Sequence, residues 1–202
     1  MKAFWDERYA AVEYAYGKEA NLFLQAELSE LSPGKALFAA EGEGRNAVFA
    51  ATLGWDVTAF DISEFAKGKA DRLAKEKGVG LDYRVGTLDE LGFEENSFDL
   101  LVLIFAHFPV SFRAEIHQKL VSLLKPGGLV ILEAFSKKHI QFNSKNPKAG
   151  GPKEVSMLFS QKELEGDFKG LSQLAFEEKE LYLEEGNYHV GQSAVIRLLG
   201  KK

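Results

Sequence analysis

The sequence predicts an α/β fold, in which a mostly parallel sheet is covered by helices on both faces. Between Lys35 and Phe135, short apolar segments alternate with helical ones, as in successive strand–helix–strand units. The segment Phe98–Phe105, FDLLVLIF, is almost continuously apolar, which is typical of a central strand buried on both sides. The strand-like segments Leu174–Leu183 and Gln192–Leu199 are close in sequence, which predicts an antiparallel hairpin at the edge of the sheet.

Turn and cap residues set the bounds of the elements in the first half. Ser32-Pro33-Gly34 stops one helix, Gly54 and Gly78 stop the next two, and Ser63 can cap the third. The predicted elements are, in order, a helix over Glu19–Leu31, a strand over Lys35–Ala40, a helix over Asn46–Leu53, a strand over Asp56–Asp61, a helix from Ser63 to Gly78 and a strand over Leu81–Val85.

After the central strand, an amphipathic helix is predicted over Ser111–Lys125, ended by Lys125-Pro126-Gly127-Gly128 before a strand over Leu129–Phe135. The segment Ser136–Met157 is polar and rich in Gly, Pro, Asn and Lys, which predicts a long loop. A short helix near Gln161–Phe168 and the C-terminal hairpin complete the pattern.

The chain of 202 residues is long enough for one hydrophobic core, so a single domain over residues 1–202 is expected. Within it, residues 1–33 are expected to form a helical N-terminal segment that acts as a lid. Residues 136–160 are expected to form a long loop near the substrate site.

Composition narrows the class of function. The net charge of -5 offers no basic surface for a phosphate backbone, so no nucleic-acid partner is expected. The absence of cysteine excludes disulfides, thiolate metal sites and cysteine nucleophiles, and no metal site is expected. No segment has the length of a membrane span or the pattern of a signal peptide, so no membrane partner and a cytoplasmic location are expected.

Residues with binding chemistry follow the predicted strands. In open parallel sheets, ligands bind beyond the carboxyl ends of the strands. The first strand is followed by the glycine turn Glu41–Asn46 and the second ends at Asp61, which is placed to accept hydrogen bonds from ribose hydroxyls. Gly86-Thr87-Leu88 follows the third strand and Phe105–Pro109 ends the fourth. These four ends are expected to surround one pocket.

The glycine turn alone does not identify a ligand. Gly42-x-Gly44-x-x-Ala47 also satisfies the dinucleotide fingerprint, with Asp61 near the expected distance, and the two glycines could simply make a tight turn. A dinucleotide fold would continue with further parallel units, whereas this chain is predicted to finish with a hairpin. That difference favours a mononucleoside ligand such as S-adenosylmethionine.

Several motifs together resemble the class I S-adenosylmethionine-dependent methyltransferases, and within them the tellurite-resistance and thiopurine methyltransferase-like branch. The resemblance covers nearly the whole chain and implies a Rossmann-like, doubly wound seven-stranded sheet of order 3-2-1-4-5-7-6 with strand 7 antiparallel. The motifs that carry it are WDERY at Trp5–Tyr9 with Tyr16-Gly17, GEGRNA at Gly42–Ala47, DVTAFDIS at Asp56–Ser63, NSFDLLVLIFAHFP at Asn96–Pro109, KPGGLVILEAF at Lys125–Phe135 and EGNYHVGQSAVIRLLGKK at Glu185–Lys202.

The resemblance also implies where S-adenosylmethionine lies. Its methionine part is expected against the glycine turn, its ribose on Asp61, its adenine beside Ile62 and Thr87-Leu88, and Phe105-Ala106 beneath it. Tyr9 and Tyr16 are expected to close over it. The expected cofactor-binding residues are Tyr9, Tyr16, Ala40, Glu41, Gly42, Gly44, Arg45, Asn46, Asp61, Ile62, Thr87, Leu88, Phe105 and Ala106.

This sequence departs from the family pattern at three positions. The usual acid at Phe38, the usual first glycine at Ala40 and the usual acid at Thr87 are absent. The methionine amino group therefore needs another partner, for which Glu41 is the candidate. The other interpretation of Glu41 is a solvated turn residue.

Candidate catalytic and substrate residues lie at the strand ends and in the hairpin. His107 is either a base or a packing residue beneath the cofactor, and His189 either faces the substrate or lies in an exposed turn. Arg197 is expected to bind an anionic substrate, and the rings of Phe108 and Tyr188 to lie near the substrate or the sulfonium. His117 and His139 are expected at the surface.

The sequence thus predicts an S-adenosylmethionine-dependent methyltransferase that acts on a small molecule through an S, N, O or metalloid nucleophile. An NAD(P)-dependent oxidoreductase with the same glycine turn is the first alternative. A domain that binds S-adenosylmethionine but has lost catalysis, suggested by Phe38, Ala40 and Thr87, is the second. The protein is expected to be a monomer or homodimer.

Overall fold

Seven strands form one sheet in the computed structural model, which describes all 202 residues. The order is β3-β2-β1-β4-β5-β7-β6; the first five strands are parallel, and β7 runs antiparallel to both neighbours. This confirms the predicted fold class and strand order. The strands are β1 Lys35–Ala39, β2 Asp56–Asp61, β3 Asp82–Val85, β4 Phe98–Ile104, β5 Leu124–Phe135, β6 Gln173–Glu185 and β7 His189–Lys201.

Eight α-helices connect or cover the strands. None of them is long and apolar enough to cross a lipid bilayer. The helices are α1 Lys2–Tyr9, α2 Leu22–Ser29, α3 Arg45–Thr52, α4 Glu64–Lys77, α5 Leu88–Leu91, α6 Arg113–Ser122, α7 Ile140–Asn143 and α8 Gln161–Asp167.

The core consists of two layers, one on each face of the sheet. Successive side chains of a strand point to opposite faces. Ala36 and Phe38 therefore pack into the layer that includes residues of α2, α3 and α4, while Leu37 and Ala39 pack into the layer that includes residues of α6 and α8. The fully buried ring of Phe38 stands where the family pattern has an acid, and it has a packing role.

Two predicted boundaries were wrong for identifiable reasons. The helix predicted to begin at Glu19 is α2 and begins at Leu22, because the side chain of Asn21 accepts a hydrogen bond from the Leu24 amide and caps it. Lys125–Gly128 does not separate a helix from a strand, because β5 already pairs Leu124 with Phe98 and these four residues bulge out of the ladder.

The C-terminal hairpin is longer than predicted. β6 and β7 pair from Gln173↔Lys201 to Glu185↔His189, which leaves a three-residue turn, Gly186–Tyr188. His189 is therefore the first residue of a strand and is buried. The interpretation of His189 as an exposed turn residue was wrong.

The segment 136–160 contains four short helical pieces, over 137–139, 140–143, 147–149 and 155–157. It is attached to β7: the Asn146 side chain donates to the Val190 carbonyl, and His139 accepts from the Ala194 amide and contacts the Gly150 carbonyl. His139 is fully buried, as is His117 beside Asp167, so the expectation that both lie at the surface was wrong.

Candidate active site at the carboxyl ends of the strands

A cavity of about 790 Å³ lies where the parallel strands end, within the ~300–1,000 Å³ typical of ligand pockets. Residues following β1, β2, β3 and β4 line it together with α1 and the start of β7, so the four strand ends do surround one pocket. The sequence-predicted residues that line it are Tyr9, Tyr16, Ala40, Glu41, Arg45, Asn46, Asp61, Ile62, Thr87, Leu88, Phe105, His107, Phe108 and His189.

Five sequence-predicted residues do not line the cavity, and neither does any residue of 136–160. Ala106 is buried in the core layer that includes α6 and α8. Tyr188 is at the hairpin tip, where its ring stacks under the Arg8 guanidinium, 3.8 Å from the ring centroid. The remaining three are Gly42, Gly44 and Arg197.

Arg197 is engaged in the sheet. Its Nε donates to the fully buried Glu133 at 2.5 Å, and its Nη1 donates to Glu177 at 3.1 Å. The expectation that it binds an anionic substrate is not supported by this position, because the register of β7 places Arg197 opposite these two carboxylates.

The two glycines of the turn make room for protein atoms. Both have positive φ, 65° at Gly42 and 87° at Gly44. A Cβ on Gly42 would lie 2.7 Å from the Tyr9 hydroxyl, and one on Gly44 would lie 2.5 Å from the Ala70 Cβ of α4. The glycines thus allow α1 and α4 to approach the turn.

Gly44→Ala is expected to destabilise the protein by about 2 kcal/mol or more, because it combines a left-handed φ with overpacking against α4. Gly68→Ala is the matched control, since Gly68 lies within α4 and a Cβ added there would meet no atom within 4 Å. That substitution should stabilise the helix by about 0.5–1 kcal/mol. Urea unfolding of both variants measures the difference, and equal stabilities would contradict the packing argument.

Asp61 is the buried carboxylate at the end of β2. One oxygen accepts from the Gly42 amide and the other from the Ser63 amide, both at 3.0 Å. Burial nevertheless raises its pKa to about 6, because these hydrogen bonds only partly offset desolvation. Asp61 therefore joins the glycine turn to the start of α4 while it faces the cavity.

Glu41 lies at the entrance to α3. Its Oε1 accepts from the Asn46 and Ala47 amides at 2.9 and 2.8 Å, whereas Oε2 makes no hydrogen bond within the protein. Burial raises its pKa to about 7 against these hydrogen bonds and the nearby Arg45. Glu41 is thus neither simply solvated nor fully satisfied, and one carboxylate oxygen is available to a ligand.

The end of β3 closes the far side of the cavity. Thr87 caps α5 in a reciprocal capping box with Glu90, so its hydroxyl is already used. Thr87 thus caps a helix at the position where the family pattern has an acid. Leu88 is buried there, and Ile62 lies across from it at the end of β2.

His189 is the best-positioned proton acceptor at the cavity. Its Nδ1 lies 3.0 Å from Glu185 Oε2, the carboxylate that closes the hairpin. Burial alone would raise the pKa of Glu185, but Arg45 and His189 hold it at about 2. An ionised Glu185 requires Nδ1 to be the donor, which leaves Nε2 as the acceptor.

Aromatic rings fix His189 from several sides. The centroids of Tyr16 and Phe105 are 4.5 and 4.6 Å from its ring, and Phe135 is 5.1 Å away. Burial lowers the pKa of His189, only partly opposed by Glu185, so the imidazole is neutral at neutral pH. Phe105 itself has a positive φ of 51°, a strained backbone at the end of β4.

His107 differs from His189 because no side chain or backbone group hydrogen-bonds its ring. Trp5 stacks on it with centroids 6.0 Å apart. Burial, with a smaller contribution from His189, lowers the pKa of His107 to about 4. A group that gives up its proton so readily and lacks an orienting partner is better suited to packing than to proton transfer.

The N-terminal segment covers the cavity and is held at both sides. Tyr9 and Tyr16 line the cavity, as predicted, and Arg8 donates to the Tyr16 hydroxyl at 3.0 Å. On one side, Lys69 of α4 pairs with the equally buried Glu43 at 2.6 Å and donates to the Glu13 carbonyl. On the other side, the Asn187 amide at the hairpin tip donates to the Ala15 carbonyl.

Glu185 and Trp5 belong to the site but were not predicted from the sequence. The signal for Glu185 was its spacing of four from His189 across the turn GNY, but the predicted turn was too wide to pair the two residues. Gly86 and Pro109, which belong to the predicted strand ends, also line the cavity. Further lining residues that were not predicted are Met1, Lys2, Phe60, Val85, Asp89, Glu90, Ile104, Phe112, Glu115, Ile116 and Lys119.

Residues 36–128 match the model of a family described as a methyltransferase domain. The matched span runs from β1 to the glycines within β5 and includes the turn at Glu41 and the strand end at Asp61. No curated protein matches the sequence.

Solved structures share the fold at low sequence identity. A SAM-dependent methyltransferase from Methanosarcina mazei is 19% identical, with a TM-score of 0.71 over 91% of this chain and 98% of that chain. TehB from Haemophilus influenzae is 17% identical, with a TM-score of 0.68 over 100% of this chain and 66% of that chain. A structure reported for the conversion of a disulfide bond into a thioacetal group during echinomycin biosynthesis is 20% identical, with a TM-score of 0.75 over 100% and 91%.

The match to the family model implies S-adenosylmethionine as the cofactor and supports a methyltransferase, and the solved structures show that the fold is shared.

Proposed function

We propose that the protein is an S-adenosylmethionine-dependent methyltransferase that acts on a small molecule. The observation that carries the proposal is the arrangement of Glu41, Asp61 and the Glu185–His189 pair around one cavity at the ends of the parallel strands. The N-terminal segment covers this cavity, and a covered cavity favours a small acceptor over a macromolecular one. TehB shares the fold at 17% identity over 66% of its own length, which gives weak support to the tellurite-resistance and thiopurine-like branch.

The residues present fit the cofactor chemically. Asp61 offers carboxylate oxygens of the kind that accept from ribose hydroxyls, and Glu41 offers a free oxygen to an ammonium group. Ile62 and Leu88 supply apolar contacts for a base, and Tyr9, Tyr16 and Phe105 supply rings that stabilise a sulfonium. Bound there, S-adenosylmethionine supplies an electrophilic methyl group on a sulfonium.

The protein's own contribution is positioning, exclusion of water and proton removal. The covering segment and the ring cluster restrict the acceptor to one approach, and positioning of this kind is worth ~7–11 kcal/mol. Glu185 fixes the tautomer of His189, so that Nε2 can accept a proton from the acceptor. Arg45 holds Glu185 ionised at 2.8 Å and thereby keeps that tautomer.

Calorimetric titration with S-adenosylmethionine and with NADH tests the proposal against the oxidoreductase alternative. Saturable binding of S-adenosylmethionine and none of NADH is expected, since the carboxylates at Glu41 and Asp61 suit a cationic ligand. Binding of NADH alone would overturn it. Release of S-adenosylhomocysteine on incubation with mixed thiols, amines and phenols distinguishes an enzyme from a domain that only binds.

Affinity for S-adenosylmethionine is expected to depend on pH through Glu41. Its pKa in the free protein is raised to about 7. Below that pH the carboxyl is mostly protonated, and it must lose this proton before it can receive a cationic ligand. Affinity is therefore expected to fall by up to ~10-fold as the pH is lowered from neutral to 6. Asp61, with a pKa of about 6, adds a smaller loss in the same direction.

Glu41→Gln should remove most of this pH dependence, while Glu64→Gln, at an exposed position in the first turn of α4, should retain it. Titrations between pH 6 and 8 measure both. An unchanged pH profile in Glu41→Gln would separate Glu41 from the cofactor.

A further inference from the structure

The cations that line the cavity are already paired with carboxylates. The only buried one is Arg45, whose Nη2 lies 2.8 Å from Glu185 Oε2, with side chains 8% and 11% exposed. Its Nη1 donates to the Glu19 carbonyl at 3.3 Å. The two others, at the solvent edge, form the pairs Lys2–Asp6 and Lys119–Asp89.

The remaining basic groups near the cavity supply no charge to it. Burial lowers the pKa of His189 and brings that of His107 to about 4, so both imidazoles are neutral at neutral pH. Arg8 has no carboxylate partner, but it lies behind Tyr16 and against the Tyr188 ring and does not line the cavity.

Negative charge in the cavity is not balanced in the same way. Glu41 and Asp61 accept only backbone hydrogen bonds and pair with no cation. Under the proposed function they receive the cofactor, whose positive charge they oppose. An anionic acceptor gains no free cation from the protein. It also meets the charge of Asp61, which neutral ribose hydroxyls do not cancel, and this costs affinity.

The rest of the wall near His189 is aromatic. Trp5 lies parallel to the His107 ring, and Tyr16 and Phe105 contact His189. Phe108 continues this wall towards α6. Rings of this kind favour a planar or apolar body over a strongly hydrated one.

Resting on the proposed function, we infer that the methyl acceptor is an uncharged molecule with an apolar or aromatic body and a protonated nucleophile, and that carboxylates and oxyanions are excluded. In the transfer, the lone pair of the nucleophile forms the new bond to the methyl carbon, and the methyl–sulfur electron pair stays on sulfur. The proton of the nucleophile passes to His189 Nε2. Among the predicted S, N, O and metalloid acceptors, the metalloid oxyanions are therefore excluded.

Matched acceptor pairs test the inference. Benzyl mercaptan is compared with 4-(mercaptomethyl)benzoate, and phenol with 4-hydroxybenzoate, each titrated into the protein saturated with S-adenosylhomocysteine; tellurite is the oxyanion probe. The uncharged member of at least one pair is expected to bind about tenfold or more tightly than its carboxylate, and tellurite is expected not to bind. Equal or tighter binding of the anions, or binding of none of the uncharged probes, would overturn the inference.

The variant Glu185→Gln tests whether the pairing of Arg45 with Glu185 is what excludes anions. Glu185→Gln releases Arg45, so the carboxylate probes should gain about tenfold relative to the uncharged ones. Glu184→Gln, at the exposed neighbouring position, should leave the ratio unchanged. An unchanged ratio in Glu185→Gln would show that pairing of Arg45 does not exclude anions; if that variant does not fold, the comparison on the unaltered protein still decides.

Binding of S-adenosylhomocysteine, measured first, separates this inference from the proposed function. No binding of that ligand would remove the proposed function. Binding of it together with a preference for anions would remove only the inference on the acceptor.

Discussion

Replacing His189 with glutamine is expected to lower kcat for methyl transfer by about 10²–10⁴, the usual contribution of a general base. The reason is the geometry of its hydrogen bond: Glu185 holds Nδ1 at 3.0 Å, and Nε2 is the one acceptor left for the nucleophile's proton. Because His189 is not expected to bind the cofactor, affinity for S-adenosylmethionine should change little. Single-turnover rates and calorimetry measure the two effects separately.

His107→Gln is the matched control for this prediction. His107 lines the same cavity but has no hydrogen-bond partner, and burial lowers its pKa to about 4. We expect a loss in kcat of less than about tenfold. A larger loss for His107→Gln than for His189→Gln would reverse the two roles.

The pH dependence of kcat shows whether Glu185 acts on His189 or has only a structural role. Glu185→Gln removes the charge that opposes desolvation of the imidazole, so the pKa of His189 should fall further below its usual range. The acidic limb of the kcat profile should then shift to lower pH, with a reduced plateau because the tautomer is no longer fixed. A reduced plateau with no shift of the limb would indicate that Glu185 has only a structural role.

Asp61→Asn is expected to weaken binding of S-adenosylmethionine by roughly 10- to 100-fold, about 1.5–3 kcal/mol, the range for a hydrogen bond to a charged group. The amide keeps one oxygen for the Gly42 or Ser63 amide but presents an NH₂ group where the other oxygen accepts a hydrogen bond. Part of the lost affinity will therefore arise because the glycine turn, which Asp61 holds through the Gly42 amide, shifts.

Asp56→Asn is the control, because Asp56 begins the same strand at its opposite end with its side chain 72% exposed. Its affinity for S-adenosylmethionine should match that of the unaltered protein within about twofold. Equal affinities of Asp61→Asn and Asp56→Asn would place the cofactor elsewhere. Thermal unfolding of both variants separates lost affinity from lost stability.

The alternation of strands and helices and the location of the cavity were accessible from sequence because they depend on local patterns. The apolar run at Phe98–Ile104 and the turns around it identify a central strand, and the ends of the neighbouring strands then bring Glu41 and Asp61 together. The order of the seven strands came from the family resemblance rather than from periodicity.

What sequence could not supply were partners distant along the chain. His117 is buried because Asp167, 50 residues away, hydrogen-bonds it, and Arg197 is withdrawn from the cavity because strand register sets it opposite Glu133. The glycines of the turn look like a cofactor cradle in sequence, whereas Ala70 occupies the space above Gly44. Each of these facts is a tertiary contact that no local pattern encodes.

S-adenosylmethionine is expected to bind in the cavity at the ends of the parallel strands with its reacting end towards His189. A crystal structure of the protein with S-adenosylhomocysteine tests this most directly. We expect the ribose hydroxyls within hydrogen-bond distance of Asp61, the amino group at Glu41 and the sulfur facing His189. Ligand density outside this cavity, or with the adenine at His189 and the ribose away from Asp61, would contradict it.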